Sequence, residues 1–233
     1  MILHTEVQGD GEAVVFLHSG LQTGKTDFVH QKEMLKDEFK TIAPDLRGHG
    51  NSVNDDLSNF FEDAAEDLKK TMDHLKIHSF HLVGCSLGAL VAIVFAKKYP
   101  SSLISITLSG ITADKPENWK EIHKEDVAMQ QQLLNNEEMS AELSELHKSD
   151  WKQFIHMAED ENWYPFDYTT DLYGIKAPIL IITGEENKNE VITASKYQLM
   201  HDNVHVGVIP FGSHLIHEQQ PAVYNEMLAN FLR

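Results

Sequence analysis

Phe80-His81-Leu82-Val83-Gly84-Cys85-Ser86-Leu87-Gly88-Ala89 is the stretch on which the reading of this chain turns. The apolar run at 80–83 has the length of a short buried strand, and 89–99 carries small or apolar side chains at most positions, as a helix packed on a sheet does. Between them, Gly84-Cys85-Ser86-Leu87-Gly88 fits G-x-S-x-G. A serine on such a strand-to-helix turn has its hydroxyl pushed outward. The two glycines let strand and helix approach closely, with no Cβ between them. The five-letter pattern alone arises by chance; the order strand, motif, helix is what gives it weight.

Working outward, apolar runs of strand length recur with turn signals between them. Residues 2–7 and 13–17 flank Gln8-Gly9-Asp10-Gly11 and read as a hairpin. Residues 40–44 form another short strand, followed by the polar loop Asp45-Leu46-Arg47-Gly48-His49-Gly50-Asn51-Ser52. Over 60–75, Phe61, Ala64, Ala65, Leu68, Met72 and Leu75 fall on one helical face. Strands are expected at 103–108, 178–183 and 204–209, and a terminal helix at 222–232. This alternation predicts an α/β fold, a mostly parallel sheet with helices on both faces. Residues 112–173 break the rhythm: they hold no convincing strand, several polar helical stretches, and Trp119, Trp151, Phe154, Trp163, Tyr164 and Phe166. The expected division is a core of 1–111 and 174–233 with an inserted helical cap over 112–173.

Composition narrows the partners. The net charge is −17 and the only arginines are Arg47 and Arg233, which argues against nucleic acid or an anionic membrane as ligand. Cys85 is the sole cysteine, so no internal disulfide forms. Residues 1–10 carry no apolar h-region and no run approaches a membrane span, which makes the cytoplasm the default location. No histidine, aspartate and glutamate set has the tight spacing of a metal site. A homodimer is compatible with the sequence, which does not fix the oligomeric state.

Four separated segments together resemble the α/β-hydrolase superfamily, in particular its capped serine hydrolases: Phe16-Leu17-His18-Ser19-Gly20, the loop Pro44 to Ser52, the serine elbow, and Gly212-Ser213-His214 before a terminal helix. The resemblance implies Ser86 as nucleophile and His214 as general base, since a serine hydroxyl needs a base within hydrogen-bond reach. It implies an oxyanion hole from the N–H groups of Leu87 and Gly20, and no metal or organic cofactor. Ser19 stands where the family often has glycine. His217 reads as the outer side of the His214 loop, His81 as a surface or edge residue, and Cys85 as helix–sheet packing.

The acid of the triad is the open point. The family's G-x-x-D after the penultimate core strand reads Gly184-Glu185-Glu186-Asn187 here. Three readings compete: a neighbouring carboxylate (Glu186, Glu185 or Glu190) with Glu186 first because it adjoins the motif position, Asp114 after the preceding strand, or Asn187 orienting the histidine through its amide oxygen. The activity implied is hydrolysis of a small or medium acyl substrate, a carboxylic ester, a lactone or a related compound, through an acyl-enzyme on Ser86. Two alternatives stand beside it: a catalytically weak small-molecule-binding or receptor-like member, and a proline-iminopeptidase-like aminopeptidase. The last would need fixed acidic groups for an amine, for which the cap offers Glu137, Glu138, Glu142, Glu145, Asp160 and Glu161, more simply read as a solvated helix face.

Overall fold

Seven strands form one sheet: β1 (Thr5–Gln8), β2 (Glu12–Leu17), β3 (Phe39–Pro44), β4 (Phe80–Cys85), β5 (Leu103–Ser109), β6 (Ile179–Gly184) and β7 (Val204–Ile209). The computed structural model describes residues 1–233. The strand order is β1-β3-β2-β4-β5-β6-β7, with every neighbour parallel except β1 against β3. The alternation of side chains along each central strand divides the core in two. Val15, Leu17, Leu82, Ile179 and Ile181 enter one apolar cluster; Val14, Phe16, Val83, Leu180 and Ile182 enter the other. A sheet buried on both faces gives continuous apolar strands, as β4 and β6 show by being buried at every position.

Helices cover both faces: α1 (Val29–Leu35), α2 (Phe60–His74), α3 (Leu87–Lys98), and, later in the chain, α8 (Lys188–Met200), α9 (Ile216–Gln219) and α10 (Pro221–Leu232). Between β5 and β6 lie four further helices and no strand: α4 (Trp119–Asn135), α5 (Glu137–Leu146), α6 (Lys152–Ala158) and α7 (Phe166–Thr169). No helix is long and apolar enough to cross a membrane.

The expected β1–β2 hairpin does not form. β1 lies on the far side of β3, pairing Thr5 with Pro44 and Gln8 with Thr41. Both edges of β2 are taken by parallel partners, β3 and β4. β2 is buried along five of its six residues and belongs in the sheet interior, whereas β1 is half exposed and suits an edge. The turn signal at 8–11 marked a reversal of the chain but not the pairing that follows it. The expected helix at 60–75 and the strands at 80–84, 103–108, 178–183 and 204–209 match α2, β4, β5, β6 and β7 within a residue or two.

Candidate active site

The carboxyl ends of the parallel strands carry the polar residues of interest, the usual place for a site in an open α/β sheet. Ser86 sits between β4 and α3 with φ 51° and ψ −119°, a conformation that few non-glycine residues adopt. The turn is that tight because its glycines allow it. A Cβ on Gly88 would fall 2.1 Å from the Leu17 carbonyl oxygen, and one on Gly84 would fall 2.7 Å from that of Gly88. The serine hydroxyl is thereby presented at the end of the sheet.

His214, on the loop after β7, places Nε2 at 2.9 Å from Ser86 Oγ. Its Nδ1 meets Glu190 Oε1 at 2.6 Å. With Nδ1–H donated to the carboxylate, Nε2 is left as the acceptor for the serine hydroxyl. Glu190 is 3% exposed, while the His214 side chain is 45% exposed toward the cavity. Gly110 closes the space beneath the ring: at φ 68°, a Cβ there would stand 3.0 Å from His214 Cε1 and 3.1 Å from Ser86 N.

Glu190, not Glu186, is the carboxylate at the histidine. Glu185 and Glu186 are exposed, and Glu185 accepts the Phe211 N–H. Asp114 is held elsewhere, by Lys196 at 2.6 Å and by Thr170. Asn187 makes no hydrogen bond to His214; its Nδ2 donates to Glu190 Oε1 at 2.6 Å, and Thr183 Oγ1 donates to Oε2 at 3.3 Å. The physical reason is one helical turn. Asn187 is the residue before α8, and Glu190, three positions on, lies on the same face as Asn187 and in the first turn. There the positive end of the helix favours an ionised carboxylate. Glu190 stood among the expected carboxylates, behind Glu186; the signal that favours it is Asn-x-x-Glu, the spacing of an N-cap and its third helical residue, in a helix at 188–200 that was not expected.

Ser86 and His214 border a cavity under α4 and α6 with two lobes, of about 320 Å³ and about 420 Å³. The first is mostly apolar, with Gly20, Leu87, Phe154, Ile155 and Met157 in its wall. The second holds Trp119, Tyr164, Asp126, Asn187 and Glu190, and Trp163 borders both. Of the aromatics expected in the cap, Trp119, Phe154, Trp163 and Tyr164 face the cavity; Trp151 is buried outside it, its indole N–H donating to Ser144. None of the six acidic residues put forward for an amine lines either lobe. Leu87 N–H, at the first position of α3, has no intrahelical acceptor, and Gly20 N–H pairs with nothing inside the chain.

Ser19 places its hydroxyl on Asp27 at 2.9 Å, a contact that glycine would lack. His217 is fully buried rather than on the outer side of its loop, and His81 is buried against Ser105 and Glu12 rather than at a surface or edge. The loop Asp45–Ser52 braces the floor: Asp45 accepts the N–H groups of Gly24 and Asn51, and Arg47 pairs with Asp63 and Asp67. Only one group of three His, Cys, Asp or Glu side chains brings its ligand atoms within 4.8 Å of one another, Asp27, His217 and Glu218, and two of these already pair with each other.

A family model described as the alpha/beta hydrolase fold matches residues 12–160. The chain belongs to the α/β-hydrolase fold family. Across its whole length this α/β-hydrolase is similar to the serine hydrolase BPHL of Homo sapiens, 28% identical over 248 residues that cover 99% of this chain and 83% of that protein. Among solved structures it superposes on NosK from Streptomyces actuosus with a TM-score of 0.83 at 24% identity, covering 95% of this chain and 97% of that one. A thermophilic esterase from Thermogutta terrifontis follows with a TM-score of 0.74 at 22% identity, covering 99% and 93%. At these identities the two structures establish the fold, and the chemistry rests on the site.

Proposed function

We propose that this α/β-hydrolase is a serine hydrolase that cleaves a small or medium acyl substrate, a carboxylic ester or a lactone, with Ser86 as nucleophile, His214 as general base and Glu190 as the acid that orients it. The observation that carries the reading is the continuous chain Ser86 Oγ, His214 Nε2, His214 Nδ1, Glu190 Oε1, with steps of 2.9 and 2.6 Å. His214 Nε2 takes the Ser86 proton as Oγ attacks the acyl carbon. The carbonyl oxygen gains the negative charge, which the N–H groups of Leu87 and Gly20 receive, each such donor being worth about 10²–10³ in rate. Collapse of the adduct expels the alcohol, which takes the proton back from His214. Water then repeats the sequence and frees the acid. Asn187 and Thr183 act on Glu190, holding its two oxygens.

The cavity supports an uncharged acyl group. No lysine or arginine lines either lobe, and the acidic groups at its wall are Asp126 and Glu190, so a carboxylate-bearing substrate would meet like charge. The aminopeptidase reading draws no support from the exposed acidic face of the inserted helices. The main ground for the binding-protein reading, asparagine at the family's acid position, is met by Glu190 one turn on.

The test is labelling by a fluorophosphonate probe, read by intact mass. One adduct is expected on the unmodified protein, none on Ser86→Ala, and much slower labelling on His214→Ala. A folded protein that takes no label would overturn the hydrolase reading in favour of ligand binding under the inserted helices.

A further inference from the structure

Behind the Ser19–Gly20 loop lies a second histidine–carboxylate pair that the reaction above does not use. Asp27, just before α1, and His217, in α9, are 1% and 0% exposed, and Asp27 Oδ1 meets His217 Nε2 at 2.6 Å. Burial disfavours the imidazolium, but Cys85 and Asp27 beside it outweigh that and push His217 up to about 10. Burial also acts to raise Asp27, yet the hydrogen bond and charge of His217 bring it down to about 2. Each thus favours the charged form of the other, with His217 Nε2–H donating to the Asp27 carboxylate. A buried ion pair is a weak source of stability compared with apolar packing of the same volume, so what its remaining atoms hold is the informative question.

Those atoms hold one residue, Ser19. Asp27 Oδ2 accepts both the backbone N–H of Ser19 at 2.7 Å and its hydroxyl at 2.9 Å. The Ser19 carbonyl accepts from His18 Nδ1 at 2.8 Å, in the tautomer fixed by His18 Nε2 accepting the Leu46 N–H. The Ser19 carbonyl and the Gly20 N–H belong to one planar trans peptide and point in opposite directions. Gripping Ser19 at N, O and Oγ thus aims the Gly20 N–H, which has no partner inside the chain.

The other end of the pair belongs to the loop of the general base. His217 follows His214 by three residues, and its own carbonyl is held by Gln31 Nε2 at 3.0 Å. Its ring stacks on Phe28 at 4.3 Å. Phe28 sits at φ 52°, an outlier for a bulky residue, and Leu21, Ser86 and Phe211 around the site are also at positive φ. Strain held this close to a site needs surroundings that over-determine the backbone, and the ion pair is part of them.

We propose that Asp27 and His217 are positioning residues: their buried hydrogen-bonded pair ties Ser19, whose carbonyl shares a peptide with the Gly20 N–H, to the segment that follows His214, so that the oxyanion donor and the general base are held in one frame. Neither side chain borders the cavity, so they act through Ser19 and the His214 loop. The assignment rests on the hydrolase reading of Ser86 and His214.

The experiment compares the unmodified protein with Asp27→Asn, His217→Leu, His217→Gln and Ser19→Ala. It measures hydrolysis of 4-nitrophenyl acetate across pH, inhibition by an aryl trifluoromethyl ketone, whose adduct with serine carries the oxyanion, and thermal melting. Asp27→Asn and His217→Leu are expected to lower kcat about 10–100-fold and to weaken the ketone by a like factor, with KM and the acid limb of the pH profile unmoved. His217→Gln, whose amide can still donate to Asp27, recovers most of the loss. Ser19→Ala leaves the pair in place and so keeps the fold, and loses about 3–10-fold through one hydrogen bond. Unchanged kcat and ketone affinity in the folded variants, whatever their melting temperatures, would overturn the proposal in favour of a purely structural pair, as would an unchanged kcat in Ser19→Ala alone. A kcat loss that travels with a shifted acid limb and leaves the ketone affinity unchanged would place the effect on His214 alone and also overturn it. No Ser86-dependent turnover or adduct in the unmodified protein would instead sink the hydrolase reading, and this inference with it.

Discussion

His214 and His217 stand three residues apart and each meets a carboxylate at 2.6 Å, yet the two pairs live in different solvents. The His214 side chain is 45% exposed, faces a cavity, and has a serine hydroxyl at its free nitrogen; the His217 side chain is sealed at 0%, and its free Nδ1 has no hydrogen-bond partner. On the proposed reading, the same two functional groups do two jobs. A base must be able to lose and regain a proton, which needs a nitrogen that reaches the substrate side. A fixed charge must not, and burial with a counter-ion keeps it charged. What separates the two is which way the backbone turns between 214 and 217, as α9 begins.

The comparison can be broken at either pair. The largest effect belongs to the exposed one: Glu190→Gln should lower kcat by about 10²–10⁴ while Glu186→Gln leaves it unchanged, measured on any ester the protein turns over. Equal effects, or the reverse ranking, would return the acid to the motif position. At the buried pair the loss is of fold: Asp27→Ala leaves the buried His217 and the Ser19 N–H without their acceptor, expected to cost about 3 kcal/mol in urea unfolding. Asn187→Ala sharpens the first pair, since it removes only the amide donor to Glu190. A kcat loss of about 3–10-fold is expected, with no change in KM.

The smallest effect, about 1 kcal/mol per pH unit, lies in the pH dependence of the melting temperature. Burial lowers the pKa of His18, His49 and His147, a neutral cluster under the Ser19–Gly20 loop, below the ordinary 6.5. Their contribution is present above that value and is lost as pH falls through their lowered pKa values, because the unfolded chain binds protons that the folded one refuses. His217 has the opposite sign: raised to about 10, its contribution is full below 6.5 and declines as pH rises toward 10. Stability should therefore peak near neutrality, and His217→Leu should flatten the alkaline side while leaving the acid side in place.

Much of this was legible beforehand, and the reasons differ by residue. Ser86 was visible because its turn imposes sequence: two backbones too close for a Cβ force glycine at 84 and 88. His214 was visible through its place after the last strand and its small neighbours. The strands β4 to β7 announced themselves as apolar runs because a sheet covered on both faces leaves no polar positions. Glu190 was named but placed behind Glu186, because a carboxylate that moves one helical turn keeps its place in space and changes its place in the pattern. His217 was hidden because a buried charged residue looks, in sequence, like an exposed one; only its partner Asp27, 190 positions away, distinguishes them. The pairing of β1 with β3 was hidden because a turn signal fixes where a chain reverses but not which edge is free.

The sequence by itself determined the α/β class, the serine elbow, the histidine loop and the helical insertion between the fifth and sixth strands. These rest on local rules: side-chain periodicity, steric demands on glycine and the chemistry of one residue beside the next. The tertiary structure alone decided which carboxylate meets His214, what the Ser19 hydroxyl does, and that one of two neighbouring histidines is sealed from solvent against a carboxylate. Those depend on distances between residues far apart in the chain and on exclusion of water, and neither is written in any short stretch of sequence.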